Sequence, residues 1–148
     1  MRISKILLVL IAGLVMTGCS CKTKTIEGAE NVPGTGISQS PLKDINFDFD
    51  KYNITPTAQG ILKENAAWLK ANPGKKVQIE GHCDERGTSE YNMALGNKRA
   101  KAAFDYLKSL GVDPAIMSTV SYGKELPLDP RHNEEAWAKN RRDHFNVQ

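Results

Sequence analysis

The sequence predicts an α+β fold in which helices pack on a mixed β-sheet, with the element order β-α-β-α-β-(α)-β. Two observations lead to this prediction. Ile45, Phe47 and Phe49 alternate with polar residues, and residues 77–80 repeat the pattern, a period typical of half-buried strands. The longer segments between strands carry apolar residues at helical spacing, with start and stop signals at their ends. Strands and helices therefore alternate along residues 42–148.

Local signals place the first three elements. The first strand is predicted over residues 45–50, so that Asp50 ends it. Thr55 is a good N-cap residue and is followed by proline, whereas residues 72–74 read Asn-Pro-Gly and stop a helix. The first helix therefore lies between these two signals, and the second strand follows at residues 77–80.

The remaining elements follow from the same reasoning. A long helix is predicted from residue 89 to residue 110, because Gly111 is typical of a helix end. Residues 116–122 form the third predicted strand, residues 133–139 a short helix and residues 143–147 the last strand. Helices packed on one sheet are the simplest arrangement of this order.

The amino terminus has the features of an export signal. Arg2 and Lys5 precede an apolar run at residues 6–16, which is too short to span a bilayer. Residues 16–19 read Met-Thr-Gly-Cys and resemble a bacterial lipobox, in which Cys19 becomes the lipidated first residue. The alternative is an ordinary secretory signal with an incidental cysteine. We expect a lipoprotein signal peptide at residues 1–18.

The segment after the signal differs in composition from the rest of the chain. Residues 19–41 show no apolar periodicity and are rich in Gly, Ser, Thr and Lys, which predicts a lipidated amino terminus followed by a flexible tether. The formal net charge is +3, but Arg2 and Lys5 lie in the leader, so the mature chain is nearly neutral. Its basic residues are scattered, and we therefore expect no nucleic-acid partner.

Arg99 is the residue that ordinary folding explains least. On the long helix it lies within the apolar stripe that includes Leu95 and Leu107. A guanidinium on such a stripe needs a carboxylate or a place at the floor of a ligand cleft, and Asp84 is the nearest candidate partner. The two residues form either a structural ion pair or a site for a zwitterion, in which Asp84 takes an ammonium group and Arg99 a carboxylate.

Two motifs carry a resemblance to a known family. They read Gly81-His82-x-Asp84-x-Arg86-Gly87 and Asn92-x-x-Leu95-Gly96-x-x-Arg99-Ala100. Together they resemble the signature of OmpA C-terminal-like, peptidoglycan-binding domains. Segments at residues 47–52, 121–125 and 139–142 narrow the resemblance to the lipoprotein branch of that family, and it extends from about residue 42 to residue 147.

The resemblance implies a binding function. In similar domains the residues at the positions of Asp84 and Arg99 grip the free amino-acid end of diaminopimelate in the peptide stems of peptidoglycan. Asn92 lies on the same helix face as Arg99 and either braces the Asp84 loop or contacts the wall peptide. The resemblance also implies further wall contacts from Phe49, Asp50, Lys51 and Arg142.

Location and partners are likewise implied. A chain lipidated at Cys19 is expected in the outer membrane with its domain facing the periplasm, because Ser20 lacks the acidic character of an inner-membrane retention signal. Similar lipoproteins also bind a TolB-like periplasmic protein of the Tol system, which acts in cell division. The alternative is a lipoprotein interaction or assembly module with the same fold and no affinity for the wall.

Catalysis, metals and cofactors are not indicated. His82, Cys83, Asp84 and Glu85 are consecutive, so their side chains do not converge as a catalytic triad does. The histidines and cysteines lack zinc-site spacing. Cys83 is a departure from similar domains. It is either a small buried residue or a disulfide partner of Cys21. The last strand departs too, because residues 142–145 are more polar than usual.

Overall fold

Three helices and a four-stranded sheet form the described part of the protein. The structure, a computed structural model, describes residues 40–148, so the predicted signal peptide, Cys19 and most of the predicted tether lie outside the described residues. The elements are β1 Ile45–Asn46, α1 Pro56–Ala71, β2 Val77–His82, α2 Ser89–Ser109, β3 Met117–Gly123, α3 Glu134–Asn140 and β4 Arg142–Val147.

The sheet is mixed, with the strand order β1-β4-β2-β3. β2 pairs in parallel with β3, and β4 pairs antiparallel with both β1 and β2. A parallel pair needs a crossover, which α2 provides between β2 and β3. The α+β fold class, with helices on a mixed sheet, is confirmed.

The helix ends agree with the sequence signals. The hydroxyl of Thr55 accepts a hydrogen bond from the amide of Ala58, and Thr88 caps α2 in the same way through the amide of Tyr91. Gly111 follows α2 with a φ of +83°, a left-handed conformation that favours glycine. No helix among residues 40–148 is long and apolar enough to cross a bilayer.

The core lies between the sheet and the helices α1 and α2. Its buried members come from both helices and from all four strands, and they include Ile45, Leu62, Leu69, Val77, Ile79, Ala103, Leu107, Met117 and Phe145. Burial of such side chains stabilises the fold by about 1.5–3 kcal/mol each. The start of α2 extends beyond this core over the end of β2.

Two glycines bring α2 unusually close to the sheet. A Cβ atom on Gly81 of β2 would lie 2.1 Å from the carbonyl oxygen of Gly96, and one on Gly96 would lie 2.2 Å from the Oγ atom of Ser121. Only glycine fits at both positions. This contact sets the distance between α2 and the end of β2, and Arg99 lies one helical turn beyond it.

The first strand is shorter than predicted. β1 ends at Asn46, and Phe49 and Asp50 instead form a turn, with Phe49 55 % exposed. The backbone carbonyl groups that would continue the strand bond to arginines: Phe47 accepts from Arg141, and Asp48 accepts from Arg99. The prediction that Asp50 ends a strand is therefore wrong.

The other element boundaries differ from the predictions by a few residues. β2 extends to His82, two residues beyond the predicted end. Residue 116 lies in a short 3-10 helix, Pro114–Ile116, so β3 begins one residue later than predicted. The carboxylate of Asp113 caps the start of this helix by accepting a hydrogen bond from the amide of Ala115 at 2.9 Å. α3 and β4 are each displaced by one residue from their predicted starts.

Candidate functional site

A cleft of about 190 Å³ opens where β2 ends and α2 begins. This volume is smaller than the usual range for a whole ligand and suits the end of one side chain. The lining combines charged and apolar groups from the turn after β1, the loop after β2 and the first turns of α2, and it includes Phe49, Asp50, Asp84, Tyr91, Leu95 and Arg99.

Arg99 forms the floor of this cleft. It is 0 % exposed, yet its guanidinium borders the cleft volume. Its Nε atom donates to the carbonyl of Lys51 at 2.8 Å, Nη1 donates to that of His82 at 2.8 Å, and Nη2 donates to that of Asp48 at 3.2 Å. Arg99 thus fixes the turn after β1 to the end of β2.

These bonds correct part of the sequence analysis. The direct Asp84–Arg99 ion pair does not form, because backbone carbonyl groups occupy most of the Arg99 donors. The other expectation, an arginine at the floor of a cleft, agrees with the structure. A guanidinium has five N–H groups, so at least one Nη2 hydrogen remains for a ligand.

Asp84 lies at the side of the cleft and is held by two arginines. The guanidinium of Arg86 donates through Nη2 to Oδ2 at 2.6 Å and through Nε to Oδ1 at 3.2 Å. Arg141 donates through Nη1 to Oδ2 at 3.2 Å. Burial would raise the pKa of the Asp84 carboxyl, but the hydrogen bonds from Arg86 and Arg141 lower it below its usual value. Asp84 is therefore an anion at neutral pH.

Arg86 is a structural partner of Asp84, a role that the sequence motifs do not predict. Its guanidinium carbon lies 3.9 Å from the centre of the Phe49 ring and 4.3 Å from that of Trp137. Such cation–π contacts stabilise by about 0.5–1 kcal/mol at exposed sites. The stacked Arg86 forms one wall of the cleft.

Asn92 braces the loop between β2 and α2. Its side-chain amide donates to the carbonyl of Arg86 at 2.8 Å and to that of Thr88 at 3.2 Å. Asn92 also lines the cleft, so the two interpretations of this residue are compatible. Within the same loop, Gly87 adopts a φ of +96°, which a side chain would strain.

Asp50 and Lys51 occupy different positions relative to the cleft. Asp50 lines it in a left-handed conformation with a φ of 56°, and its carboxylate accepts a hydrogen bond from the hydroxyl of Tyr91. The Lys51 side chain instead pairs with Asp48 at 3.3 Å, away from the lining. Lys51 contributes to the site through its backbone carbonyl, which Arg99 binds.

The two adjacent arginines before and in β4 point to opposite sides. Arg141 binds Asp84, whereas Arg142 does not line the cleft and lies beside Asp44, with 3.5 Å between its Nε atom and the carboxylate. The placement of Arg142 at the cleft is wrong because strand alternation turns it away. Asp143 and Phe145 face the helix-covered core, so Arg142 and His144, which alternate with them along β4, face the other side of the sheet.

Cys83 has no disulfide partner among residues 40–148, and its thiol lies below the cleft. Cys21, the alternative partner, lies outside the described residues. The Cys83 thiol donates to the carbonyl of Asn92 at 3.4 Å and accepts from Arg99 at 3.5 Å. Burial raises the pKa of this thiol to about 11, which keeps it protonated at neutral pH. Within residues 40–148, no group of three or more His, Cys, Asp or Glu side chains is arranged to hold a metal ion.

Comparison with known proteins decides the family. The OmpA family model matches residues 46–141. The peptidoglycan-associated lipoprotein of Pasteurella multocida is 42 % identical over 95 % of each chain, and that of Haemophilus influenzae is 44 % identical over 90 % of this chain and 92 % of the relative. The chain belongs to the OmpA family, among the peptidoglycan-associated lipoproteins.

Solved structures of the OmpA fold agree with this assignment. The peptidoglycan-associated lipoprotein of Burkholderia pseudomallei has 47 % identity and a TM-score of 0.69, over 71 % of this chain and 89 % of that one. The carboxy-terminal domain of Helicobacter pylori MotB has 20 % identity and a TM-score of 0.65, over 72 % and 84 %. The second likeness extends to the fold alone.

The OmpA-family motifs locate part of the cleft but not all of it. The motifs predict Asp84, Arg99 and Asn92 as site residues, and the structure brings these three together. They do not predict the roles of Arg86 and Arg141. Two signals in the sequence could have indicated these roles. Arg86 lies two residues after Asp84, and Arg141 lies one residue before a strand whose alternation turns Arg142 away from the cleft.

Proposed function

We propose that this protein binds peptidoglycan non-covalently, through the free amino-acid end of diaminopimelate in the stem peptide. The observation that carries the proposal is the cleft itself, which places a carboxylate, Asp84, beside a guanidinium floor, Arg99. A zwitterion presents an ammonium and a carboxylate at a fixed short separation, and these two side chains are complementary to it.

The remaining walls suit the carbon chain of such a ligand. Phe49, Tyr91 and Leu95 are apolar or aromatic and line the same volume. In this proposal the ligand carboxylate accepts from the Nη2 group of Arg99, and its ammonium donates to Asp84. Because Arg86 already binds both oxygens of Asp84, the ammonium shares or replaces that contact.

The expected affinity is modest. Charge-assisted hydrogen bonds contribute about 1.5–3 kcal/mol each, and association has a large entropic cost. A few such bonds give dissociation constants on the order of micromolar or weaker. Many copies bound along one wall would still form a strong joint, because each bond raises the effective concentration of the next.

Sedimentation with purified diaminopimelate-type peptidoglycan tests the proposal. We expect full-length protein in detergent micelles to sediment with the wall, and Asp84→Asn to lose most of this binding because it removes the negative charge while keeping the shape. Arg142→Gln is the matched control, since Arg142 lies outside the cleft. Equal sedimentation of Asp84→Asn and wild type, with both folded, would refute this site.

The proposal includes a lipid anchor at Cys19, which holds the protein in the outer membrane with its domain in the periplasm. The lipobox-like sequence at residues 16–19 and the relatives named as lipoproteins support it. Two or three acyl chains give effectively permanent anchoring. Mass spectrometry of the amino-terminal peptide should find acyl groups on Cys19, and an unmodified Cys19 in the outer-membrane fraction would contradict the anchor.

A TolB-like periplasmic partner of the Tol system is the proposed protein ligand, with a role in cell division. Exposed aromatic and methionine side chains near the start of α2 and the turn after β1 favour a protein interface, namely Phe49, Tyr52, Tyr91 and Met93. Since Phe49 and Tyr91 also line the cleft, the partner and the wall should compete. Pull-downs from periplasmic extract should recover a TolB-like protein, less of it with added stem peptide; recovery that is absent or unaffected by the peptide argues against this overlap.

A further inference from the structure

Asp143 is a buried carboxylate beneath the cleft that the proposed function does not use. The side chain is 0 % exposed, and among residues 40–148 neither of its oxygens has a hydrogen-bond partner. An unpaired ionised carboxylate is costly in such a place. The residue therefore either carries a proton or depends on a charge nearby.

The strand register shows which charge that is. Asp143 of β4 lies opposite Ile45 of β1 and Gly81 of β2, and Phe145 two residues later is in the core. Alternation along β4 places Asp143 on the same, helix-covered face. Gly81 contacts Gly96 of α2, so the next turn of that helix brings Arg99 over this part of the sheet.

Within the described residues 40–148, Arg99 lacks a counter-charge in direct contact. Its hydrogen bonds go to three backbone carbonyl groups and to the Cys83 sulfur. Asp143 and Arg99 are thus two fully buried ionisable groups of opposite type on one face of the sheet. Burial lowers the pKa of Arg99 and raises that of Asp143, and the charge of each group opposes the shift of the other. Low polarity around them strengthens this interaction relative to water.

Other charged groups near Asp143 are few. Asp44 lies before β1, Arg142 is on β4 itself, and Cys83 follows β2. From α1, the buried side chains are apolar except for Asn65, whose amide binds the Lys43 backbone. Burial raises the pKa of the Asp143 carboxyl well above its usual value, and the Arg99 charge offsets only part of that rise.

We propose that Asp143 is a positioning residue that controls how much positive charge Arg99 offers to a ligand carboxylate. When Asp143 is protonated, the Arg99 charge is free to bind the ligand; when Asp143 ionises, its carboxylate cancels that charge and repels the ligand. This inference rests on the proposed function, because it deepens the account of the same cleft. It makes wall binding weaken as the pH rises.

Asp143 belongs to the part of the last strand that departs from similar domains. Residues 142–145 are the polar departure in the last strand, and Asp143 is the one among them whose buried carboxylate has no hydrogen-bond partner in the described part of the chain. A simple structural role would favour an apolar side chain at that position. Control of the cleft charge gives the carboxylate a function.

The test measures binding of a diaminopimelate-containing stem tripeptide to full-length protein by calorimetry between pH 5.5 and 8.5. For wild type we expect affinity to fall on the order of tenfold across this range, a coupling typical of linked sites. Asp143→Asn, which is uncharged at all pH values, should bind as tightly as wild type at low pH and show no fall. His144→Gln, on the opposite face, should keep the wild-type profile.

A ligand-free measurement separates this inference from the proposed function. In NMR spectra the Nε–H signal of Arg99 should shift with pH in wild type and not in Asp143→Asn. No shift, or a shift that Asp143→Asn retains, overturns the inference whether or not the peptide binds. A pH-independent affinity in wild type also overturns it. If the signal shifts as expected but no peptide binds at any pH, the proposed function fails while the coupling of the two residues stands.

Discussion

The two faces of the sheet at the start of β4 hold buried arginines in different ways. On the cleft side, Arg99 and Arg141 donate to carbonyl and carboxylate oxygens with all three of their nitrogens, although the carboxylate of Asp143 beneath them has no hydrogen-bond partner within residues 40–148. On the outer side, the Nη1 atom of Arg142 and both ring nitrogens of His82 lack hydrogen-bond partners within residues 40–148. Arg141 and Arg142 are neighbours in sequence, yet they belong to these two different environments.

The presence or absence of hydrogen bonds to these buried groups has different consequences on the two faces. In the cleft, hydrogen bonds keep Asp84 ionised and fix the positions of its partners, as a binding site requires. On the outer side, burial first and then the nearby charge of Arg142 lower the pKa of His82 to about 4, so His82 is neutral at pH 7. We therefore expect mutations of the bonded cleft residues to affect both ligand binding and stability, and mutations of His82 on the outer side to affect how stability responds to acid.

The largest expected effect comes from replacing the cleft arginine. Arg99→Leu leaves three carbonyl groups without donors, and we expect the free energy of unfolding to fall by about 3–5 kcal/mol. Arg142→Leu removes a partly unpaired guanidinium, so its effect should stay within about 1 kcal/mol. Urea unfolding of both variants measures the difference. Similar losses in the two would show that the faces do not differ as described.

Acid should destabilise the protein through His82. Its pKa is 6.5 in the unfolded chain and about 4 when folded, so the unfolded chain binds the proton first as the pH falls. The contribution of His82 is complete above pH 6.5 and is lost between that pH and about 4, a total on the order of 3 kcal/mol.

Two variants isolate this effect. His82→Leu should remove the loss of stability between pH 6.5 and 4, measured by urea unfolding at a series of pH values. His144 has the opposite sign, because the hydrogen bond that its ring donates to the Asp44 carboxylate raises its pKa, and its contribution disappears as the pH rises through the folded value. His144→Gln should therefore keep the acid loss, and an unchanged slope in His82→Leu would contradict the assignment.

The smallest effect compares two equivalent helix caps. Thr55 caps α1 and Thr88 caps α2, each with a 3.2 Å hydrogen bond, so Thr55→Ala and Thr88→Ala should each cost about 1 kcal/mol of stability. Only Thr88→Ala should also weaken wall binding severalfold, because the Thr88 hydroxyl fixes the first turn of α2, from which Tyr91 and Asn92 line the cleft. Equal wall binding by the two variants would mean that this loop is not part of the site.

The sequence was sufficient for the fold because most of its signals are local. N-caps, helix-stop glycines and alternating strands depend on neighbouring residues, and the helices α1 and α2 begin and end within one residue of their predicted positions. The end of β1 was missed because distant arginines, Arg99 and Arg141, take the carbonyl groups of that segment. No sequence pattern near Phe49 indicates those contacts.

The candidate site was predictable by residue type but not by pairing. Helical periodicity placed Arg99 at a cleft floor, and the motif placed Asp84 beside it. Which arginine binds Asp84 depends on the tertiary positions of Arg86 and Arg141, and Arg141 is far from Asp84 in the sequence. Strand alternation alone could have excluded Arg142, had the boundary of β4 been known to one residue.

The central claim is that the cleft recognises a zwitterion at the end of a side chain. Calorimetry of full-length protein with two stem tripeptides tests it directly, one containing meso-diaminopimelate and the other L-lysine, which keeps the ammonium but lacks the second carboxylate. Our account predicts at least about tenfold weaker binding of the lysine peptide, because Arg99 loses its charge-assisted partner. Equal affinity for the two peptides, or no binding of either, would contradict it.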